Sequence, residues 1–309
     1  MGEHVYEKIG SDNHEENENE IKPTQFKSAV KQNLQVVSNQ VKAVIQISNV
    51  HASENKREVN SRFRSSIGQT AEENAMSLKS KLEMAESTDE LKQLLSDPYN
   101  AYDLHHIEAL NFSNRKLNIE DIYWVVNCPH LTSLTILNFS GTQITTKRAQ
   151  VIAESPILKN IRSLILQNTI LTVNGLSLIL KSENIGNLVY LDLSYNTLGD
   201  RGLRVVLNSS ISKKLTRLDM SASLISDVGA KVVASSFLPN IRTLNLSCNF
   251  ISDTGAIALA SATHRQFDSL RKVFLTSRYN GENFYFSKET ERLLQSRFPD
   301  IEFIFEDPQ

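Results

Sequence analysis

Four side chains with the chemistry of a binding site occur at matched positions along the chain. Tyr190 and Asp192 are followed 27 residues later by Arg217 and Asp219. An aromatic ring, a guanidinium and two carboxylates can hold another molecule through stacking, charge and directed hydrogen bonds. Arg217 could equally well do no more than neutralise the neighbouring acids. The choice between these interpretations depends on the elements that position the four residues.

The spacing of 27 residues belongs to a repeat that covers about two thirds of the chain. Its clearest copy begins at Leu188 and reads L-x-x-L-x-L-x-x-N-x-L, followed by a helical apolar face. Six other copies begin at Ile107, Leu134, Ile161, Leu215, Ile241 and Leu270. We number the positions of each copy from its first residue and call them slots. Each copy predicts a strand, a turn and a helix, and one unit must stack on the next because it cannot bury its apolar face alone.

The repeats resemble the leucine-rich repeats of the ribonuclease-inhibitor type. The resemblance rests on the period, the outer helix and the glycine of I-S-D-x-G-A at Ile225–Ala230 and Ile251–Ala256. It implies an α/β fold over residues 104–309, a leucine-rich-repeat solenoid with a parallel concave sheet, outer helices and a C-terminal cap. It says little about function, because members of the family bind many different proteins. From the surface residues described below, we predict a non-enzymatic module that holds a folded protein partner on its concave face and C-terminal aromatic end, by occlusion or scaffolding.

The first third of the chain has a different composition. Residues 1–22 hold seven acidic residues and two lysines, which predicts a disordered acidic tail. Residues 23–103 predict a small all-α N-terminal domain that also caps the solenoid. Within it, Val30, Leu34, Val37, Val41 and Val44 form a heptad-like stripe that could pack inside the domain or contact a second chain. In the repeats, Asp200, Asp227 and Asp253 are expected to cap the helices on which they lie.

Strand alternation predicts which side chains line the exposed face of the sheet. Slots three and five of neighbouring repeats form straight rows because each strand places alternate residues on the same face. We predict a partner-binding site made of Tyr190, Asp192, Tyr195, Arg217, Asp219, Arg242, Lys272, Phe274, Arg278 and Tyr279. The aromatic residues at the C-terminal end could instead form an apolar cap of the solenoid.

Several function classes find no support in the residues. The chain contains no nucleophile elbow, phosphate-binding loop or metalloprotease motif, so we predict no enzyme activity, no cofactor, no metal site and no small-molecule substrate. No apolar run is long enough to span a membrane. The first thirty residues lack an export signal, and the two cysteines, Cys128 and Cys248, lie too far apart for a disulfide framework. These features predict a cytoplasmic protein.

The main alternative is binding to RNA or a ribonucleoprotein. Residues 23–69 carry seven basic and two acidic side chains, and slot two adds a possible basic ridge at Arg162, Arg242 and Arg271. A solvated helix face explains the basic segment equally well. In composition, rich in Asn, Ile, Lys and Ser, the chain also looks like the leucine-rich-repeat effectors of intracellular bacteria, which would place it in the host cytosol.

Overall fold

A computed structural model describes residues 71–263, 266–279 and 282–305, with side chains for all of these except 71–72 and 277–284. Gln69–Gln309 form one compact unit. The predicted acidic tail and the predicted heptad-like helix lie outside the described residues. The division of the chain at residues 23 and 104 therefore stays a prediction.

Eight parallel strands form one open sheet, as the repeat pattern predicts. The strands, in their order across the sheet, are β1 Ala109–Asn111, β2 Ile136–Asn138, β3 Ser163–Ile165, β4 Tyr190–Asp192, β5 Arg217–Asp219, β6 Thr243–Asn245, β7 Lys272–Phe274 and β10 Glu302–Ile304. A separate antiparallel pair, β8 Ser277–Tyr279 and β9 Glu282–Phe284, precedes the last helix. Slots three, four and five pair in register from β1 to β7, and β10 continues the same rows. The fold class is thus confirmed.

A helix follows each of the first six repeat strands. The repeat helices are α4 Ile119–Val126, α5 Thr146–Ala153, α6 Val173–Lys181, α7 Gly199–Leu207, α8 Asp227–Ser235 and α9 Asp253–Ala260, and α10 Lys288–Arg297 leads into β10. The central residue of each strand from β1 to β7 is buried, as are helix residues such as Leu203 and Val206. These side chains belong to one hydrophobic cluster that runs the length of the unit. The apolar slots therefore form the core that makes stacking favourable.

Slot eight turns the chain out of every described repeat strand from β1 to β6. Its residues all adopt the left-handed conformation, with φ between 49° and 68°: Asn114, Gly141, Asn168, Tyr195, Ala222 and Cys248. Glycine and asparagine tolerate this region, whereas other side chains are strained there by about 1–3 kcal/mol. The bulky Tyr195 therefore occupies a position whose backbone favours a smaller residue.

Slot nine supplies a buried polar ladder beneath these turns. Asn196 Oδ1 accepts the N–H groups of Thr169 (3.1 Å) and Leu171 (3.0 Å), and its Nδ2 donates to Leu166 O (2.7 Å) and Leu193 O (3.0 Å). Asn249 makes the equivalent bonds two repeats later. The asparagines thus tie consecutive turns together where no strand pairing reaches them.

Within the described residues, three α-helices precede the sheet: α1 Ala71–Met84, α2 Thr88–Ser96 and α3 Ala101–His105. Ser87 caps α2 by accepting the Glu90 N–H (3.2 Å), as its capping-box sequence predicts. Glu83 Oε1 accepts the Asn111 N–H of the edge strand β1 (2.7 Å). The Arg115 guanidinium donates to the carbonyl groups of Glu83 and Ala85. Through Glu83, α1 thereby occupies one hydrogen-bonding group on the open edge of the sheet.

The aspartates at the helix starts do not cap their own helices, so this expectation was wrong. Ser226 and Ser252 cap α8 and α9 instead, whereas Leu198 precedes α7 without a side-chain cap. Each aspartate accepts the backbone N–H of the serine in the following repeat: Asp200 from Ser226 (2.9 Å), Asp227 from Ser252 (2.7 Å) and Asp253 from Ser287 (3.1 Å). These carboxylates link neighbouring repeats.

Candidate functional site

The sheet places the four chemically active side chains next to each other. Tyr190 and Asp192 of β4 lie in register with Arg217 and Asp219 of β5. The buried leucine between each pair of residues faces the helices, so slots three and five face the opposite side. We call these four residues the sheet-face patch.

Arg217 lies over the Tyr190 ring rather than against the acids. Its Cζ atom is 4.8 Å from the ring centroid, which is a cation–π distance. Within the described part of the chain, Arg217 forms no ion pair with either carboxylate. Arg217 is an exposed residue, so its N–H groups remain available to another molecule.

The two aspartates form the rigid base of the patch. Each is only 8 % exposed. Asp192 Oδ1 accepts Ser194 N (3.0 Å) and Ser194 Oγ (2.7 Å), and Asp219 Oδ1 accepts the same two groups of Ser221. Their remaining oxygens accept the Tyr190 hydroxyl (3.2 Å) and Asn245 Nδ2 (2.8 Å) respectively. These bonds hold the carboxylates in fixed orientations.

Burial changes the acidity of two groups in the sheet-face patch. Desolvation raises the pKa of Tyr190 from 10.0 to about 12, with a further contribution from the charge of Asp192. Desolvation also raises the pKa of Asp192, while its bonds from Ser194 oppose the shift. When folding raises the pKa of an acidic group, the folded protein loses stability as the pH rises from the unfolded to the folded pKa of that group. Ionised Asp192 therefore costs stability at neutral pH.

Alkaline titration should reveal this coupling between Tyr190 and Asp192. We expect the Tyr190 phenol to ionise near pH 12 in the folded protein and at lower pH in Asp192→Asn, because the substitution removes a nearby negative charge. Ultraviolet absorbance of the phenolate, assigned by difference from Tyr190→Phe, measures both values. The wild-type protein should lose unfolding free energy as the pH rises and Asp192 ionises, and Asp192→Asn should lack this part of the pH dependence. An unchanged Tyr190 pKa would contradict the contact.

A second cation–aromatic contact lies two strands further along the sheet. Lys272 Nζ is 5.2 Å from the centroid of the Phe274 ring on the same strand. Lys272 also forms an ion pair with Glu302 of β10 at 3.2 Å. Unlike Arg217, Lys272 therefore has a carboxylate partner, and it is a weaker candidate for an incoming anion.

Two other predicted site residues, Tyr195 and Arg242, lie apart from the sheet-face patch. Tyr195 lies in the turn after β4, and Arg242 lies in slot two at the opposite end of the strands. Arg278 and Tyr279 are part of β8, whose side chains lie outside the described residues. Their inclusion in one site stays a prediction.

The slot-two arginines do not form a continuous ridge. Val189 and Thr216 separate Arg162 from Arg242 in this row. Arg271 donates to the Leu270 carbonyl (2.8 Å), which holds its guanidinium against its own loop. The basic segment 23–69 lies outside the described residues, so RNA binding stays a prediction.

Sequence reasoning missed the serines and the asparagine that support the patch. Ser194, Ser221 and Asn245 orient the two carboxylates. The available signal was the Asp-x-Ser spacing in slots five and seven, because a strand places these residues on one face. Glu302 was also missed, since its role depends on β10 pairing beside β7.

The described residues offer few sites for other chemistry. They contain no group of three His, Cys, Asp or Glu side chains placed to hold a metal ion. Burial raises the pKa of the Cys128 thiol, which disfavours the reactive thiolate. Among the described helices, none combines the length and apolar character needed to cross a bilayer.

Comparison with known proteins identifies the repeat. A family model described as Leucine Rich repeat matches residues 130–153, 187–207 and 237–260. No curated protein matches the chain. Each matched segment contains a strand and the helix that follows it, β2 with α5, β4 with α7 and β6 with α9.

Similar solved structures include a Bacteroides fragilis protein (20 % identity, 72 % of this chain and 61 % of that chain, TM-score 0.43). They also include an internalin from Listeria monocytogenes (18 % identity, 74 % of this chain and 67 % of that chain, TM-score 0.41). A third is the yeast complex of Rad7 and Elc1 (16 % identity, 88 % of this chain and 85 % of that chain, TM-score 0.36). The chain spans about three fifths of the length of the first of these. Leucine-rich repeats generally serve as non-enzymatic interaction scaffolds. The three matched segments are leucine-rich repeats, and they recur in register across one parallel sheet with outer helices, which is the architecture of a leucine-rich-repeat solenoid.

Proposed function

We propose that the protein is a non-enzymatic recognition module that binds a folded partner protein on the exposed face of its sheet. The observation that carries this proposal is the placement of Arg217, which lies on Tyr190 instead of pairing with the buried acids beside it. Arg217 is exposed and pairs with no described carboxylate, so its five N–H groups can donate to a partner. Tyrosine and arginine are also the residue types most often found at the energetic centre of protein interfaces.

The surroundings of Arg217 favour binding without a large ordering cost. Asp192 and Asp219 each accept two hydrogen bonds from the serine two residues later. These carboxylates therefore lose little conformational entropy when a partner binds. The Tyr190 hydroxyl is fixed on Asp192, which holds the ring beneath Arg217. An interface that is ordered before binding spends less free energy on association.

The chemistry of the patch indicates what the partner should offer. A carboxylate or a backbone carbonyl fits the outward guanidinium edge, and an apolar side chain fits the exposed part of the tyrosine ring. Lys272 and Phe274 extend the contact towards the C-terminal end. Arg242, Arg278 and Tyr279 would lie at its periphery. The module would act by occlusion or scaffolding on a cytosolic protein, which for a bacterial effector would be a host protein.

The test compares two double variants in capture from eukaryotic cytosol, with and without nuclease. Tyr190→Ala with Arg217→Ala should weaken binding of the captured partner by about tenfold to a hundredfold, because the two residues form one contact and together contribute about 2 kcal/mol as an interface anchor. Tyr99→Ala with Arg201→Ala removes the same residue types at exposed positions away from the sheet and should leave binding unchanged. Binding is then measured with the purified partner.

Thermal unfolding of both double variants provides the folding control, and their midpoints should agree with each other. Equal affinity in the two double variants would contradict the proposed surface. Loss of the captured species on nuclease treatment, with a steep decrease of affinity in salt, would assign the protein to nucleic-acid binding instead.

A further inference from the structure

A polar depression lies outside the sheet-face patch, at the carboxyl ends of β1 to β4. Its volume is about 480 Å³, and its lining includes Asn114, Asn138, Gly141, Gln167, Asn168 and Tyr195. Four of these residues occupy slot eight of successive repeats, and all four are left-handed. We call this feature the amide depression. Clefts at the carboxyl ends of parallel strands are common ligand sites in α/β proteins.

The amide groups in the depression have unused hydrogen-bonding capacity. The side chains of Asn114, Gln167 and Asn168 form no hydrogen bond with any described residue. Asn138 Oδ1 accepts the backbone N–H and the hydroxyl of Ser140 (2.8 and 2.6 Å), which fixes its orientation and leaves its amide nitrogen for another acceptor. Each free amide offers both donors and an acceptor. The depression therefore suits a ligand that carries many donor–acceptor groups.

The lining also excludes charge as the basis of recognition. None of its residues is an acid, a lysine, an arginine or a histidine. Phosphate or a carboxylate would find no cation there, and a metal ion would find no carboxylate. The expected ligand is uncharged.

Tyr195 supplies an aromatic wall. Its side chain is 57 % exposed although its backbone lies at φ 57°, a conformation that costs a bulky residue about 1–3 kcal/mol. The exposed ring therefore lacks the packing that would offset this strain. The negative face of an aromatic ring attracts the weakly positive hydrogens of an aliphatic or sugar C–H surface.

The spacing of the rows distinguishes a sugar from an extended peptide. Neighbouring strands are about 4.8 Å apart, whereas an extended peptide repeats about every 6.8 Å, over two residues. Peptide groups crossing the four repeats would fall out of step with the slot-eight residues. A sugar ring carries hydroxyl groups around its whole edge and an apolar C–H face, so it needs no matching period. We infer that the amide depression is a binding site for a neutral oligosaccharide, with Tyr195 stacked on one ring and the amides bonded to hydroxyl groups.

A blocking variant and a matched control test this site. Gly141→Asn keeps a residue type that tolerates φ 68°, but a Cβ at this position overlaps Asn114 Oδ1, so the new side chain fills the depression. Ala222→Asn places the same residue in slot eight at φ 49°, outside the lining. Both variants should retain cooperative thermal unfolding, which is measured first.

The probes are neutral trisaccharides of glucose, mannose, galactose and N-acetylglucosamine, measured by calorimetry and saturation-transfer NMR on the full chain. At least one should bind, with affinity lost in Gly141→Asn, retained in Ala222→Asn and reduced about tenfold in Tyr195→Ala. The inference is overturned if no trisaccharide binds, or if Gly141→Asn binds as well as the wild type. Preferential binding of a capped Ser-Asn-Gly-Ser peptide, blocked by Gly141→Asn, would overturn it as well and assign the depression to protein recognition. Since none of these variants changes Tyr190 or Arg217, failure here leaves the proposed function standing.

Discussion

Replacing Asn196 with alanine should lower the free energy of unfolding by about 3–5 kcal/mol, because several buried groups lose their partners together. The N–H groups of Thr169 and Leu171 and the carbonyl groups of Leu166 and Leu193 all bond to this one side chain. Asn196 is 1 % exposed, so water does not replace these bonds without opening the turn. Urea denaturation followed by circular dichroism measures the change.

Asn208→Ala is the matched control for this prediction. Asn208 is exposed at the end of α7, and its removal should change the unfolding free energy by less than about 0.5 kcal/mol. If Asn196→Ala cost no more than this control, the ladder would contribute nothing to cohesion between repeats. Asn249→Ala should behave like Asn196→Ala, since its bonds are equivalent.

Replacing Gly229 with alanine should destabilise the protein by about 1–3 kcal/mol, although alanine is the better helix former by about 1 kcal/mol. Gly229 is buried in α8, and a Cβ there would overlap the Asp200 carboxylate and the Ile225 side chain. The Asp200 carboxylate cannot move away freely, because it holds the N–H and the hydroxyl of Ser226. The added methyl group must therefore break a contact between repeats or displace the core.

Gly186→Ala is the control for Gly229→Ala, because we expect it not to destabilise the protein. A Cβ at Gly186 would find only Lys214 Nζ at 3.9 Å, and its backbone does not need positive φ. This substitution should be neutral or stabilise slightly, by restricting the unfolded chain. Chemical denaturation of both variants tests the pair. Stabilisation of the protein by Gly229→Ala would show that Asp200 does not bridge the repeats as described.

Much of the fold could be predicted because the repeat is visible in the spacing of apolar residues along the sequence. The buried residue of each strand, such as Leu191 or Leu218, follows from the apolar slots, and the pairing of Tyr190 with Arg217 follows from the period. The contacts within these rows could not be predicted. Arg217 had two acids and one aromatic ring within reach, and only the packed structure shows that it lies on Tyr190.

The sequence alone determined the number of repeats, their register and the residues that share each face, because these properties depend on covalent spacing and on strand alternation. The tertiary structure decided which polar groups meet. Asp200 bonds to Ser226 instead of capping its own helix, and Asn196 bonds across two turns. Such bonds join residues about one repeat apart, so they depend on the offset between stacked units. A difference of about 1 Å in that offset makes or breaks a hydrogen bond, whereas the apolar pattern would remain the same.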